Sequence, residues 1–304
     1  MLETTRNNDN HAVGYSLLSY LCGYYRTYYP EEYIAAYLAT AANDEDIATG
    51  KKMAKRYGVH IVRPKFRQDN RTYYIDKQSH EISDSIASVK DVGLKDAEAL
   101  YSLSDGFYLT FTDLLYDMFF YPGALNQTVV RVLIMSDYFS EFGQAGKLMD
   151  VYAEFYSGKN KITKSLKPAS VEKRTEWLRT YEENLPDEPL PMRDAVAFDV
   201  AYYGTPLHTY PEAKGLYAVM ALDEKYSPKV MLFNLASGTS KQVKFKKPFY
   251  NKHKVSPGSI IRPTAWKEEP AYQYVGGKSR IKPGVFELWI HTYEEVDYEY
   301  HSGI

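Results

Sequence analysis

The chain has one cysteine, Cys22, which excludes a disulfide framework and a cysteine-rich zinc site and makes the cytoplasm the default compartment. No apolar run approaches the ~18 residues of a membrane-spanning helix, and the first ten residues are polar rather than a charged-then-apolar leader. Charge of one sign is also lacking: 37 Lys and Arg against 39 Asp and Glu leave a net charge of −2, so any nucleic-acid contact must come from a local patch. The motifs of self-sufficient active sites are missing too, with no phosphate-binding glycine loop, no Gly-x-Ser-x-Gly, no His-Glu-x-x-His and no Gly-x-Gly-x-x-Gly. His11, His60, His80, His208, His253, His291 and His301 are scattered singly, not at ligand spacing. Neither internal repeats nor low-complexity tracts are visible.

What is present is a globular composition, 44% hydrophobic and 25% charged, on 304 residues. That length suggests two domains at about 150 residues each and is enough to bury a core without metal or disulfide. Thirty tyrosines stand against three tryptophans, which reads first as codon usage and second as base-stacking surface.

Apolar residues recur at helical spacing from Ala12 to Tyr29. Pro30 stops that helix and opens a second, which runs to about Ala42 with Glu31 and Glu32 in its first turn. Asn43 reads as the N-cap of a third helix, which carries Asp44, Glu45 and Asp46 in its first turn and closes at Gly58. Those three carboxylates fit a helix dipole better than a metal cluster. Val59–Val62 reads as a strand, and Thr72–Ile75 with His80–Ile82 as a hairpin pair. Helices are expected near Lys95–Leu103, Thr112–Phe120, Gln127–Met135, Gln144–Tyr156 and Val171–Glu183. Three prolines in Leu185–Pro191 mark a linker, and a further helix is expected at Arg193–Val200. Five short strands follow at Gly215–Leu222, Lys229–Leu235, Gln242–Phe245, Ser259–Thr264 and Phe286–Tyr293, a pattern that predicts a small barrel. The domains are read as 1–90, 91–185, a linker at 186–192, and 193–304, in an α+β chain.

Five stretches, in order, resemble the alpha subunit of bacterial DNA polymerase III. His11 to Leu38, with Tyr29-Pro30-Glu31-Glu32-Tyr33 and Ala35-Ala36-Tyr37-Leu38, is similar to that family's fingers segment. Gly58-Val59-His60-Ile61 with Pro64 resembles a Gly-Ile-x-Ile-x-x-Pro strand, and Ser85 to Gly93 resembles the start of a helix-hairpin-helix. Leu125 to Gly143 resembles the helix and turn that follow, and Gly204-Thr205-Pro206-Leu207 the Gly-His-Pro-Leu before an OB-fold. The resemblance implies an α-helical fingers and helix-hairpin-helix region followed by a C-terminal OB-like β-barrel. It implies a role in DNA replication within a nucleotidyltransferase family. The palm, whose carboxylates hold two Mg²⁺ ions, is expected outside this chain, so the chain binds no cofactor and is not active alone. A stand-alone, non-catalytic DNA-binding accessory is the competing reading, with an inactive polymerase remnant as a third. Implied partners are primer–template and single-stranded DNA, a separate palm-bearing chain if the polymerase is split, and a sliding clamp, although no convincing clamp-binding peptide is present.

Candidate contacts follow. His11, read as the start of a helix, is the nucleotide candidate, although Asp9 stands where the family places lysine. Lys90 and Gly93 could hold a DNA phosphate in a hairpin. In the barrel, Lys225, Tyr226, Lys229, Phe233, Lys244 and Lys246 interleave cations with aromatics, a combination that holds single strands by stacking and phosphate contact. Alternation of buried Phe with exposed Lys on a half-buried strand gives the same pattern without a ligand.

Overall fold

The computed structural model describes residues 2–41, 44–121, 125–275 and 278–296. The chain divides into two units, Met1–Glu188 and Pro189–Ile304. The Asn43 cap expected from the sequence lies outside the described residues, and so does Gly276-Gly277, which reads in the sequence as a turn between strands.

The first unit begins with α1 (Leu2–Tyr28), α2 (Pro30–Ala39) and α3 (Asp44–Tyr57). Helix α1 starts ten residues earlier than the apolar periodicity indicates, through the weak helix formers Asn7, Asn8, Asp9 and Asn10. Every residue from 12 to 25 is exposed, Leu17, Leu18 and Tyr20 among them. Pro30 separates the first two helices because it lacks the N–H that would continue α1 and suits the first position of α2. Ile34, Ala35 and Leu38 of α2 pack with Ala54, Val59 and Ile82 into one core. The strands are β1 (His60–Val62), β2 (Tyr74–Asp76) and β3 (Glu81–Ser83), ordered β1-β3-β2. The β2–β3 pair is the expected hairpin, and β1 adds parallel to β3 with Ile61 opposite Ile82.

Five helices follow: α4 (Leu94–Ser102), α5 (Phe111–Phe120), α6 (Gln127–Met135), α7 (Ala145–Ser157) and α8 (Pro168–Asn184). Their second core is aromatic, with Phe111 and Phe139 at 5.2 Å and Phe119 and Phe155 at 5.7 Å between ring centres. Thr110 caps α5 reciprocally with Asp113: the Asp113 N–H donates to Thr110 Oγ1, and the Thr110 N–H to Asp113 Oδ2.

The second unit holds α9 (Met192–Tyr203), β4 (Tyr217–Asp223), β5 (Lys229–Asn234), β6 (Ser240–Phe245), α10 (Lys247–Tyr250), β7 (Ile260–Val275) and β8 (Lys278–Glu295). The strands close into a barrel ordered β4-β5-β6-β8-β7, with β4 returning to β7 through Tyr217–Ile261 and Ala218–Ile260. Strands β6 and β8 pair in parallel and α10 lies between the third and fourth strands, which makes an OB-like barrel in an α+β chain. Val219, Val230, Leu232, Val243, Phe245 and Ile290 fill its interior.

The closing hairpin departs most from the sequence expectation. Where two short strands are expected, β7 and β8 have 16 and 18 residues. Pro263, Pro270 and Pro283 argue locally against strand, since proline cannot donate to a ladder. The ladder accommodates the first two at register shifts, between Pro263 and Ala265 and between Pro270 and Tyr272, as bulged strands do.

Candidate nucleic-acid interface

The β4–β5 connection is short and polar. The Lys225 N–H donates to Asp223 Oδ1 at 3.0 Å, a local turn that leaves both Lys225 and Tyr226 exposed. Tyr226 is 73% exposed, with the Lys225 ammonium 5.7 Å from its ring centre. Glu224 between them and the strand is tied down, accepting from the Tyr250 hydroxyl at 2.6 Å and from Lys254 Nζ at 3.3 Å. Burial, then the bond to Glu224, pushes the Tyr250 phenol up. This loop therefore presents one cation and one open ring face.

Lys229 is exposed and lies directly opposite Lys244 across β5 and β6. Like charges at such a position repel. Lys244 is drawn to Glu287, with Nζ 2.5 Å from Oε2, and Lys246 to Glu269, with Nζ 2.7 Å from Oε2. His291 Nε2 shares Glu269 at 3.0 Å through its other oxygen. The bond from Lys246 holds the Glu269 carboxyl below its usual range. The two ammonium groups lie 5.4 and 4.3 Å from the Trp289 ring centre. Two of the cations that the sequence offers to phosphates, Lys244 and Lys246, are thus already partnered by glutamates far along the chain.

Phe233 is not a stacking surface. It is 8% exposed and packs with Met192, Val196 and Val200 of α9 and with Leu216, Ala218 and Ile260. Alternation puts it on the outer side of β5, but α9 covers that side, so burial overrides the stacking role expected for it.

Sequence reasoning passes over the β7–β8 hairpin, where Tyr272 and Phe286 are each 63% exposed and Arg280 and Lys282 are also exposed. The signal was there as alternation through Ala271–Tyr274, hidden by the flanking prolines. OB barrels use the loops between their first two and last two strands for oligonucleotides, and here the first carries an open ring beside a cation while the last hairpin carries exposed rings.

In the first unit, the Val92 N–H donates to Val89 O at 3.1 Å, closing a turn over Lys90 and Asp91, and Asp91 has φ 69°. Asp tolerates that left-handed geometry better than most residues. Lys90 is exposed, but the Gly93 N–H donates to Asp96 Oδ2 at 2.8 Å. The donor assigned to a phosphate is therefore occupied by a carboxylate. His11 lies inside α1 rather than at its first turn, so the free N–H groups expected beside it are instead in the helix. Among the described residues no group of three or more His, Cys, Asp or Glu is placed to hold a metal ion. No helix among them is long and apolar enough to cross a membrane.

No family model matches the chain. Curated proteins do. An alpha subunit of DNA polymerase III from Campylobacter jejuni is 28% identical over 182 residues, 59% of this chain and 15% of that protein. The Thermus aquaticus alpha subunit is 33% identical over 104 residues, covering 33% of this chain and 8% of the relative. That of Aquifex aeolicus is 30% identical over 93 residues, covering 31% and 8%. The matches span between 8% and 15% of those three relatives. The chain, with its helical region and OB-like barrel, is thus similar over part of its length to DNA polymerase III alpha subunits.

Proposed function

We propose that this chain is a fingers, helix-hairpin-helix and OB-like portion of a DNA polymerase III alpha subunit. In this reading it holds primer–template and single-stranded DNA for a palm carried on another polypeptide. The observation that carries it is the β4–β5 loop, where Lys225 and the open ring of Tyr226 stand side by side on an OB-like barrel. Stacking on such a ring contributes about 1–3 kcal/mol per base and tolerates any sequence, and cations beside it contact the phosphates. Tyr272 and Phe286 add exposed rings, and Arg280 and Lys282 exposed cations, on the β7–β8 hairpin. Nucleotidyl transfer needs carboxylates that hold two Mg²⁺ ions, and this reading assigns them to the palm chain.

The test is fluorescence anisotropy of the whole chain with labelled oligo-dT and with a labelled primer–template, titrated with salt. Binding that weakens steeply with salt and falls on Tyr226→Ala supports the reading. No binding to either DNA at about 50 mM salt overturns it.

A further inference from the structure

Helix α1 carries the longest stretch of the chain without Asp, Glu, Lys or Arg, from Asn10 to Tyr25. Its large side chains are patterned within that stretch and just beyond it. Val13, Leu17, Tyr20 and Tyr24 follow one another at steps of four, three and four residues, and Tyr28 extends the row by one more turn. That spacing lines one side of a helix as the narrow seam of a two-helix coil does. Tyr20, Tyr24 and Tyr28 form a continuous ladder along it, with ring centres 6.5 and 4.8 Å apart. Leu21 borders the seam, and at ~100° per residue Ala12 and Ser19 fall on the opposite side of the helix.

The seam is open: Val13, Leu17, Tyr20, Leu21, Tyr24 and Tyr28 are between 38% and 70% exposed. With about 150–250 Å² on each ring and less on leucine and valine, roughly 600 Å² of apolar surface lies in one row, as much as the largest patch of a typical monomer. Arg26, whose Nε donates to the Tyr57 hydroxyl at 3.2 Å, ties the end of α1 to α3, while the preceding turns stay exposed. A row without cations does not suit a polyanion, and it favours an apolar partner. Two such rows bury about 1,200 Å² together, the lower end of a specific protein–protein interface. In two-helix coils the residues beside the seam choose the partner by charge. Here those residues are uncharged through Tyr25, so a copy of α1 meets no like charge and a charged partner finds nothing to pair with. Ser16 and Ser19 on the far side need no cover, which suits one partner laid along one side.

We propose that α1 is a self-association helix: the seam of Val13, Leu17, Tyr20, Tyr24 and Tyr28 packs against the same seam of a second copy of this chain, across a two-fold axis. The contact uses none of the barrel residues and does not depend on DNA binding by either unit.

Analytical ultracentrifugation of the full chain between about 1 and 100 µM follows the equilibrium between one copy and two. The wild type is expected to pass from monomer to dimer across that range. L17E/Y24E sets carboxylates into the seam and is expected to raise the dissociation constant at least about tenfold. A12E/S19E places the same charge on the far side of the same helix and is expected to leave it unchanged, once circular dichroism has shown equal helix content in all three. A variant pair gives a second readout that adds no charge: a short bismaleimide is expected to join two copies of Y20C/C22S and not two copies of A12C/C22S. A wild type that stays monomeric at the highest concentration overturns the proposal and leaves the seam to a different polypeptide, with the DNA-binding reading untouched. L17E/Y24E associating as tightly as the wild type, an equal loss in A12E/S19E, or cross-linking only through position 12 also overturns it.

Discussion

Glu182, near the end of α8, accepts hydrogen bonds from the backbone N–H groups of Phe111 and Thr112 at 2.7 and 2.8 Å. The Thr112 hydroxyl donates to the same carboxylate at 2.7 Å, and Glu182 is 3% exposed. A carboxylate from one helix thus occupies the positive end of another, 70 residues away in sequence. Replacing it strands buried donors, at about 1–3 kcal/mol for each unsatisfied group. Glu182→Ala is expected to lower the unfolding free energy of the helical unit by about 3 kcal/mol, and Glu182→Gln by less because an amide oxygen still accepts. Urea denaturation followed by far-UV circular dichroism measures both, and an unchanged midpoint for Glu182→Ala contradicts the role.

Asp84 is a carboxylate whose charged form burial disfavours. Burial pushes its carboxyl above the usual range, partly countered by Lys51 and by a hydrogen bond from Tyr73, whose phenol burial in turn pushes up to about 12. A folded-state pKa above the unfolded one means that the native state binds the proton more tightly. The associated stability is complete below the unfolded value, near 3.9, and is lost as pH rises through the folded value. Asp84→Asn, which keeps an acceptor for Tyr73 and removes the charge, is expected to stabilise the protein at pH 7. The gain should shrink as pH falls toward 4. Melting temperatures of the two proteins across that range decide it, and a gain that grows on acidification reverses the sign.

Tyr226 and Phe233 separate binding from folding. Tyr226→Ala removes an exposed ring and is expected to weaken oligo-dT binding by about 1–3 kcal/mol with stability nearly unchanged. Phe233→Ala opens a hole beneath α9 and is expected to cost about 3–5 kcal/mol of barrel stability. Paired anisotropy and thermal unfolding of each variant make the comparison. An equal melting loss in both would remove the distinction.

Glu269 and Glu287 restrain two cations of the barrel surface. In Glu269→Gln/Glu287→Gln the ammonium groups of Lys246 and Lys244 lose their partners and face solvent beside Trp289. Oligo-dT binding should tighten several-fold, and its salt slope should steepen by about one to two units as released cations engage phosphates. If affinity and slope stay at wild-type values, the outer face of β6 and β8 lies off the DNA path.

Helix positions were legible where a local signal existed: Pro30 and the 3.6-residue periodicity of α5 through α8 stand in the chain as written. The barrel strands β4 to β6 were legible for the same reason. Non-local facts were not. The parallel partner of β1 depends on register across 21 residues, from His60 to Glu81. Lys244 and Lys246 find glutamates 43 and 23 positions away, which no spacing rule anticipates. Phe233 shows the same blindness from the packing side, since alternation tells which residues share a face but not that a helix lies over it. The β7–β8 hairpin was obscured by prolines whose cost the bulges absorb.

Those prolines have a further effect. Beyond the barrel, β7 has its ladder to β8 on one side only, because its pairing with β4 covers just Ile260 and Ile261. Strand β8 likewise meets β6 only at Trp289 and Ile290. The remainder of both strands is a pair of open edges long enough to template addition of another chain. Pro263 and Pro270 on β7 and Pro283 on β8 have no N–H to donate, while Lys267, Glu268, Arg280 and Lys282 add charge. The barrel can thus extend an arm into solvent without that arm becoming a seed for fibrils.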